Sequence, residues 1–260
     1  MDLNLRGKVI LITGGSSGIG EAISRQLAEE GAIPVIATRE MDRTLDLIKE
    51  LKMAGKEAHG IFGELRKRTF CEKIIQETAQ RYGRIDALVN NAGRNDSVGL
   101  EDGSPERFEW SLIENLHHYY NLAHLALPWL KLSKGSIVNI SSKVALTGQG
   151  GTSAYAAAKG AQLALTREWA AELLPHGIRV NAIVPAEVMT PLYREWIDTF
   201  DNPDKKLKKI VSKIPLGHRM TTPEEIASAV AFLLSERAAH ITGQWWFVDG
   251  GYVHLDRALT

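Results

Sequence analysis

Val9-Ile10-Leu11-Ile12-Thr13-Gly14-Gly15-Ser16-Ser17-Gly18-Ile19-Gly20 is the stretch whose reading decides the fold. Its first four residues are a short aliphatic run, of the kind found in parallel strands buried on both faces. A glycine-rich turn follows at once, and Ile19, Ile23 and Leu27 then recur four apart, on one face of a helix that stops at Gly31. Strand, glycine turn and helix in that order make the first half of a βαβ unit. The turn suits a dinucleotide pyrophosphate: glycine permits the sharp bend and close backbone approach, and the helix N-terminus adds partial positive charge. Gly14, Ser16, Ser17, Gly18, Ile19 and Gly20 are therefore candidate phosphate contacts. Taken alone, the same spacing also serves a tight turn without a ligand.

Outward from this unit the alternation continues. Strand signals recur at 34–37, 58–62, 86–89, 135–140, 178–184 and 245–248, with helical patterns at 45–53, 69–82, 105–132 and 153–174 between them. That order predicts an α/β fold, a Rossmann-type, doubly wound parallel sheet of about seven strands with helices on both faces. No linker, repeat or low-complexity tract divides the chain, so residues 1–260 read as a single domain. The stretch 189–213 is charged, aromatic and poor in strand signals, and reads as an inserted lid or substrate loop.

Composition narrows the function classes. With 260 residues and 44% hydrophobic content the chain suits one large domain. Its 31 Lys plus Arg balance 31 Asp plus Glu, so no global field favours nucleic acid or an anionic membrane. The single cysteine, Cys71, cannot form an internal disulfide and reads as a packed helical thiol. The first residues lack signal-peptide order, and no run approaches the roughly 18 apolar residues of a membrane helix. A cytoplasmic protein with no nucleic-acid or membrane partner is the expectation. His117, His118 and His124 have no cysteine or carboxylate at ligand spacing, so no metal is expected.

Thr38 and Arg39 follow the second strand signal, where the fold presents the adenosine ribose. A carboxylate there would bind the 2′-hydroxyl of NAD. A guanidinium instead clamps the 2′-phosphate of NADP. Arg39 thus favours NADP, with NAD possible; the alternative is a surface arginine paired with Glu40.

Asn90-Asn91-Ala92-Gly93 ends the fourth strand, and Tyr155-Ala156-Ala157-Ala158-Lys159 sits on the helix after the fifth. With the turn at 13–20, these motifs resemble the short-chain dehydrogenase/reductase family over about residues 8–251. Tyr155 and Lys159 lie four apart and share a helix face, and Ser142 stands thirteen residues before Tyr155 at a strand's carboxyl end. A phenol with a reference pKa of about 10 needs a nearby cation to act as a base, and Lys159 can provide it. The resemblance implies that Tyr155 is the general acid/base, that Ser142 polarises the substrate oxygen, and that Lys159 also holds the nicotinamide ribose. It further implies that Asn115 anchors a water chain. Asn91, Ala92 and Gly93 match the strand end beside the cofactor, with Asn90 tying strands together. Glu64 and Leu65 stand at the adenine contact, usually Asp followed by an aliphatic residue, and Val188 and Thr190 at the nicotinamide carboxamide contact.

The chain departs from the family after Pro185, where Ala186-Glu187 replaces the usual glycine-containing step. Glu187 puts a carboxylate where nicotinamide and substrate should meet, suited to vicinal hydroxyls and unsuited to a steroid or acyl chain. It could also face solvent or pair with Arg194. Stretches at 139–143, 147–150, 185–194 and 248–259 are similar to bacterial L-fucose dehydrogenase-like members, which oxidise the anomeric carbon of a free sugar to a lactone. That likeness implies Asn95, Ser142, Lys143, Gln149, Glu187, Tyr193 and Trp196 around a sugar. The alternatives are a ketone or steroid carbonyl reductase, and a cofactor-binding regulatory protein without turnover. By analogy the 105–132 helix forms a subunit interface in a dimer or tetramer. Trp129, Trp245, Trp246 and the tail 252–260 are further candidates, with core packing the alternative for the tryptophans.

Overall fold

The computed structural model describes residues 1–255. Along the chain run β1 (Val9–Thr13), α1 (Gly18–Glu29), β2 (Ile33–Thr38), α2 (Met41–Met53), β3 (His59–Phe62), α3 (Arg68–Tyr82) and β4 (Ala87–Asn90). Then come α4 (Pro105–Leu112), α5 (His118–Ser133), β5 (Ser136–Ile140), α6 (Ser153–Leu173) and β6 (Arg179–Pro185). Last are α7 (Pro191–Ile197), α8 (Pro203–Val211), α9 (Pro223–Leu234) and β7 (Trp245–Val248). The strands form one parallel sheet in the order β3-β2-β1-β4-β5-β6-β7.

Both sheet faces are apolar because both are covered. Val9 and Leu11 join a core with residues of α3, α5 and α6, while Ile10 and Ile12 point the other way into a core with α1 and α9. Leu47 and Leu51 of α2 pack on Ile36 and Ala28, on the α1 side of β2. This two-sided burial explains why β1 reads as a continuous run rather than an alternation. Cys71 is buried among these residues as a packed thiol. No helix among the described residues is long and apolar enough to cross a membrane.

Three elements differ from the sequence reading. The single helix expected over 105–132 is interrupted by a π-helical turn at Ile113–His117, separating α4 from α5. Within it Asn115 Nδ2 donates to the Ser111 carbonyl, 3.0 Å away, competing with the backbone ladder. The stretch expected as a loop, 189–213, holds α7 and α8, each opened by a capping Thr or Asn followed by Pro. Helix α9 was not anticipated at all, although Thr222-Pro223-Glu224-Glu225 forms a complete capping box at its start. Residues 256–260 of the tail considered for an interface lie outside the described residues.

Candidate active site

β1 and β4 are neighbours although five elements separate them along the chain, so their carboxyl ends open a crevice at the sheet's switch point. Thr13 Oγ1 accepts the backbone N–H groups of Asn91 and Ala92, both at 2.9 Å, and Asn91 Nδ2 donates to the Thr13 carbonyl at 2.8 Å. The loops after β1 and β4 therefore form one wall. Asn90 Nδ2 donates to Asn139 Oδ1 at 3.0 Å and ties β4 to β5.

Two glycines in the first loop are required sterically. A Cβ on Gly20 would lie 2.1 Å from the Gly14 carbonyl oxygen, and Gly18, at φ +52°, already faces Thr190 across the crevice. Ser17 begins α1 without a side-chain cap, leaving first-turn N–H groups open, and Ser16 Oγ is buried with no partner. Open N–H donors, an orphaned hydroxyl and a side-chain-free cradle fit a pyrophosphate. Thr190 borders the same crevice and caps α7, while Val188 is buried in the core shared with α1 and α9. The residues present thus fit a dinucleotide.

At the adenosine end Arg39 is exposed, with Nε 3.4 Å from Glu40, so the surface pairing considered from sequence is present. Arg43, which sequence reading passed over, donates from α2 to Ser17 Oγ at 3.0 Å and brings a second guanidinium to the glycine-rich loop. Its position four residues after Arg39 was the available signal. Glu64 is held below the usual carboxylate range by bonds to Arg66 and Lys67, and Leu65 packs against the core.

Ser142, Tyr155 and Lys159 meet beyond β5. Burial pushes the Tyr155 phenol up to about 12; its bond to Ser142 opposes that rise and the Asp96 charge adds to it. Lys159 is buried, with Nζ donating to the Ile140 carbonyl at 2.7 Å and to Gln162 Oε1 at 3.2 Å. Burial lowers its ammonium to about 7. The Lys159 ammonium nitrogen lies 5.4 Å from the Tyr155 ring centre. Asn115 sits beside them: its Oδ1 accepts the Arg94 N–H at 2.8 Å, and its carbonyl accepts Gln162 Nε2 at 2.8 Å.

On the substrate side, Lys143, directly after Ser142, forms an ion pair with Glu187. Tyr193 donates its hydroxyl to the other Glu187 oxygen at 2.8 Å, and the Lys143 ammonium lies 4.2 Å over the Tyr252 ring centre. Glu187 thus neither faces solvent nor pairs with Arg194. Burial and the Glu187 charge push the Tyr193 phenol far up, keeping it a hydroxyl donor. Trp196 meets Tyr193 edge to face at 5.2 Å. Asn95 folds back to accept the Ser97 N–H at 3.0 Å, and Gln149 is exposed on its loop; neither joins the cluster. Asp96 was missed from sequence: its Oδ1 is buried without a partner, and its charge acts on Tyr155. The only signal was an acid just beyond Asn90 to Gly93.

His118 is buried with both ring nitrogens unpartnered, and burial lowers it to about 3, leaving a neutral ring. No group of three metal-ligating side chains occurs among the described residues.

Residues 14–253 match a family model described as enoyl-(acyl carrier protein) reductase. The chain is 36% identical to 3-oxoacyl-(acyl-carrier-protein) reductase FabG of Thermotoga maritima over 96% of its length and 100% of that protein's. It is 39% identical to L-fucose dehydrogenase of Rattus norvegicus over 94% of this chain and 89% of that one. Among solved structures, Cj0485 dehydrogenase superimposes with a TM-score of 0.96 at 50% identity, covering 100% of this chain and 99% of that one. Aldohexose dehydrogenase of Thermoplasma acidophilum gives 0.89 at 32%, covering 99% and 98%.

Proposed function

The chain belongs to the short-chain dehydrogenase/reductase family, and from that premise we propose an NADP-dependent dehydrogenase of a neutral polyol or free sugar, with L-fucose the leading substrate. The observation that carries this reading is the Lys143, Glu187 and Tyr193 cluster beside Ser142. An ammonium that donates and a carboxylate that accepts can each engage one hydroxyl of a vicinal pair. An acyl chain or steroid would desolvate this ion pair further and offer neither charge a hydrogen bond in return. That weighs against carbonyl reduction of such substrates, the reading a FabG relative would suggest.

In the oxidation, Ser142 holds the C1 hydroxyl and Tyr155 takes its proton as C1 becomes the lactone carbonyl. When bound, the nicotinamide supplies the acceptor for the C1 hydride. Lys159 holds the ribose from α6, and Asn91 to Gly93 line the opposite wall. Arg39 and Arg43 grip the 2′-phosphate, which favours NADP over NAD. The chain acts as a single dinucleotide-binding domain in which 189–213 covers the substrate. It assembles in the cytoplasm as a homo-oligomer through α5 and α6, where Tyr120, His124 and Trp169 line an open groove. The complete Asn115, Ser142, Tyr155 and Lys159 set weighs against a regulatory protein without turnover.

The test is a screen of L-fucose, D-arabinose, L-galactose and simple ketones with NADP(H), followed by absorbance of the reduced nicotinamide. Oxidation of one or more sugars is expected. Brisk ketone reduction with no sugar oxidation would overturn the assignment.

A further inference from the structure

Gln162 is fully buried, one helical turn past Lys159, and its amide spans two groups of the reaction centre. Nε2 donates to the Asn115 carbonyl at 2.8 Å, and Oε1 accepts from Lys159 Nζ at 3.2 Å. The orientation is forced: a carbonyl can only accept and an ammonium can only donate, so the amide has one way to face both. Its backbone is fixed as well. Thr166 Oγ1 donates to the Gln162 carbonyl at 2.7 Å and accepts Asn139 Nδ2 at 3.0 Å, continuing the polar ladder that joins β4 to β5 through Asn90.

We propose that Gln162 is a positioning residue, a buried amide that bolts the Lys159 ammonium to the Asn115 carbonyl and so fixes the direction in which Lys159 faces Tyr155. It rests on the reading of Ser142, Tyr155 and Lys159 as the reaction centre, and not on the identity of the substrate. Donor counting carries it. An ammonium has three N–H groups. One goes to the Ile140 carbonyl, which also accepts the Tyr119 hydroxyl at 3.1 Å, and one goes to Gln162. The third is left for a ribose, and Tyr155 meets the ammonium through its charge, 5.4 Å from the ring centre. An aliphatic residue at 162 would free a second N–H and strip the Asn115 carbonyl of its amide partner in a dry interior.

The amide also polarises the site. From α5, Tyr119 and His118 face Lys159, one kept protonated and the other neutral by burial; Tyr155 faces it from α6, and Asp96 acts on Tyr155 from the loop after β4. The Gln162 carbonyl is thus the side-chain dipole bonded to the ammonium, and it favours the charged form.

The test compares wild type with Gln162→Leu and Gln162→Glu. The readouts are NADPH affinity by fluorescence, the Lys159 titration by NMR in the free enzyme, and the pH profile of oxidation of any alcohol turned over. Gln162→Leu should lower the Lys159 midpoint by at least about half a pH unit and raise that of the oxidation profile. NADPH affinity should fall severalfold. Gln162→Glu, which keeps the acceptor and adds charge, should move the Lys159 midpoint the opposite way. Should Gln162→Leu fail to fold, Gln162→Met, close in shape, takes its place with the same expectations. Unchanged Lys159 and profile midpoints, with turnover within twofold of wild type, would overturn the proposal. A protein that oxidises no sugar would sink the sugar reading alone, since Lys159 titration and NADPH binding need no substrate.

Discussion

Tyr155→Phe removes one hydroxyl and nothing of the cofactor cradle. Turnover should fall by roughly 100- to 10,000-fold, the range for loss of a general acid or base, while NADPH binding stays within about twofold. Steady-state kinetics beside fluorescence titration checks both halves. At the other end of the crevice, Arg39→Asp and Arg43→Asp should each shift the ratio of kcat/KM values from NADP towards NAD, the double variant most. An unchanged ratio would mean that neither guanidinium reads the phosphate. What could be read from sequence at this scale was local. Tyr155 and Lys159 share a helix face by spacing alone. Lys143, Glu187 and Tyr193 could each be singled out, yet the pairing of Lys143 with Glu187 spans 44 residues and leaves no periodic trace. Arg43, Asp96 and Gln162 look like ordinary polar residues until the fold buries or aims them.

Among the elements, α9 offers a clean test because its start is a complete capping box. Thr222 Oγ1 accepts the Glu225 N–H, and the Glu225 carboxylate accepts the Thr222 N–H at 2.8 Å. Thr222→Ala should cost about 0.5–2 kcal/mol in denaturant unfolding. Glu225 is lowered from 4.5 to about 2, chiefly by its bond to Arg219 and then by the Thr222 N–H. A carboxylate lowered in the folded state stabilises fully above its unfolded pKa and loses that contribution as pH falls through the folded value. The stability gap between wild type and Glu225→Gln should therefore hold near neutrality and shrink below about pH 4.5, closing towards about 2. Strands were the more legible elements, since two-sided burial leaves unbroken aliphatic runs such as 9–12. The π-helical turn was not legible: it depends on Asn115 bonding to Ser111 and Arg94, contacts that periodicity averages over.

The whole molecule is laced at its centre, where the loops after β1 and β4 share Thr13, so a dinucleotide across that crevice would bind both halves of the sheet. At a hundred times its dissociation constant, NADPH should add about 2.7 kcal/mol, which for a chain of this size raises Tm by roughly 5–10 °C. NADH at the same concentration should raise it less, and a thermal-shift series with both nucleotides measures the difference. The parallel order of the sheet followed from the alternation along the chain, and the balance of 31 basic and 31 acidic residues already pointed away from a molecule that works through its net field. Where its individual charges lie has one more consequence. Arg39 is exposed to solvent, whereas Lys143 and Glu187 face each other in the interior. Mobile ions screen exposed charges beyond about 8 Å at physiological salt and barely reach buried ones. The ionic strength of the medium should therefore tune which nucleotide is preferred, eroding the advantage of the extra phosphate as salt rises, while the KM for an uncharged sugar stays flat.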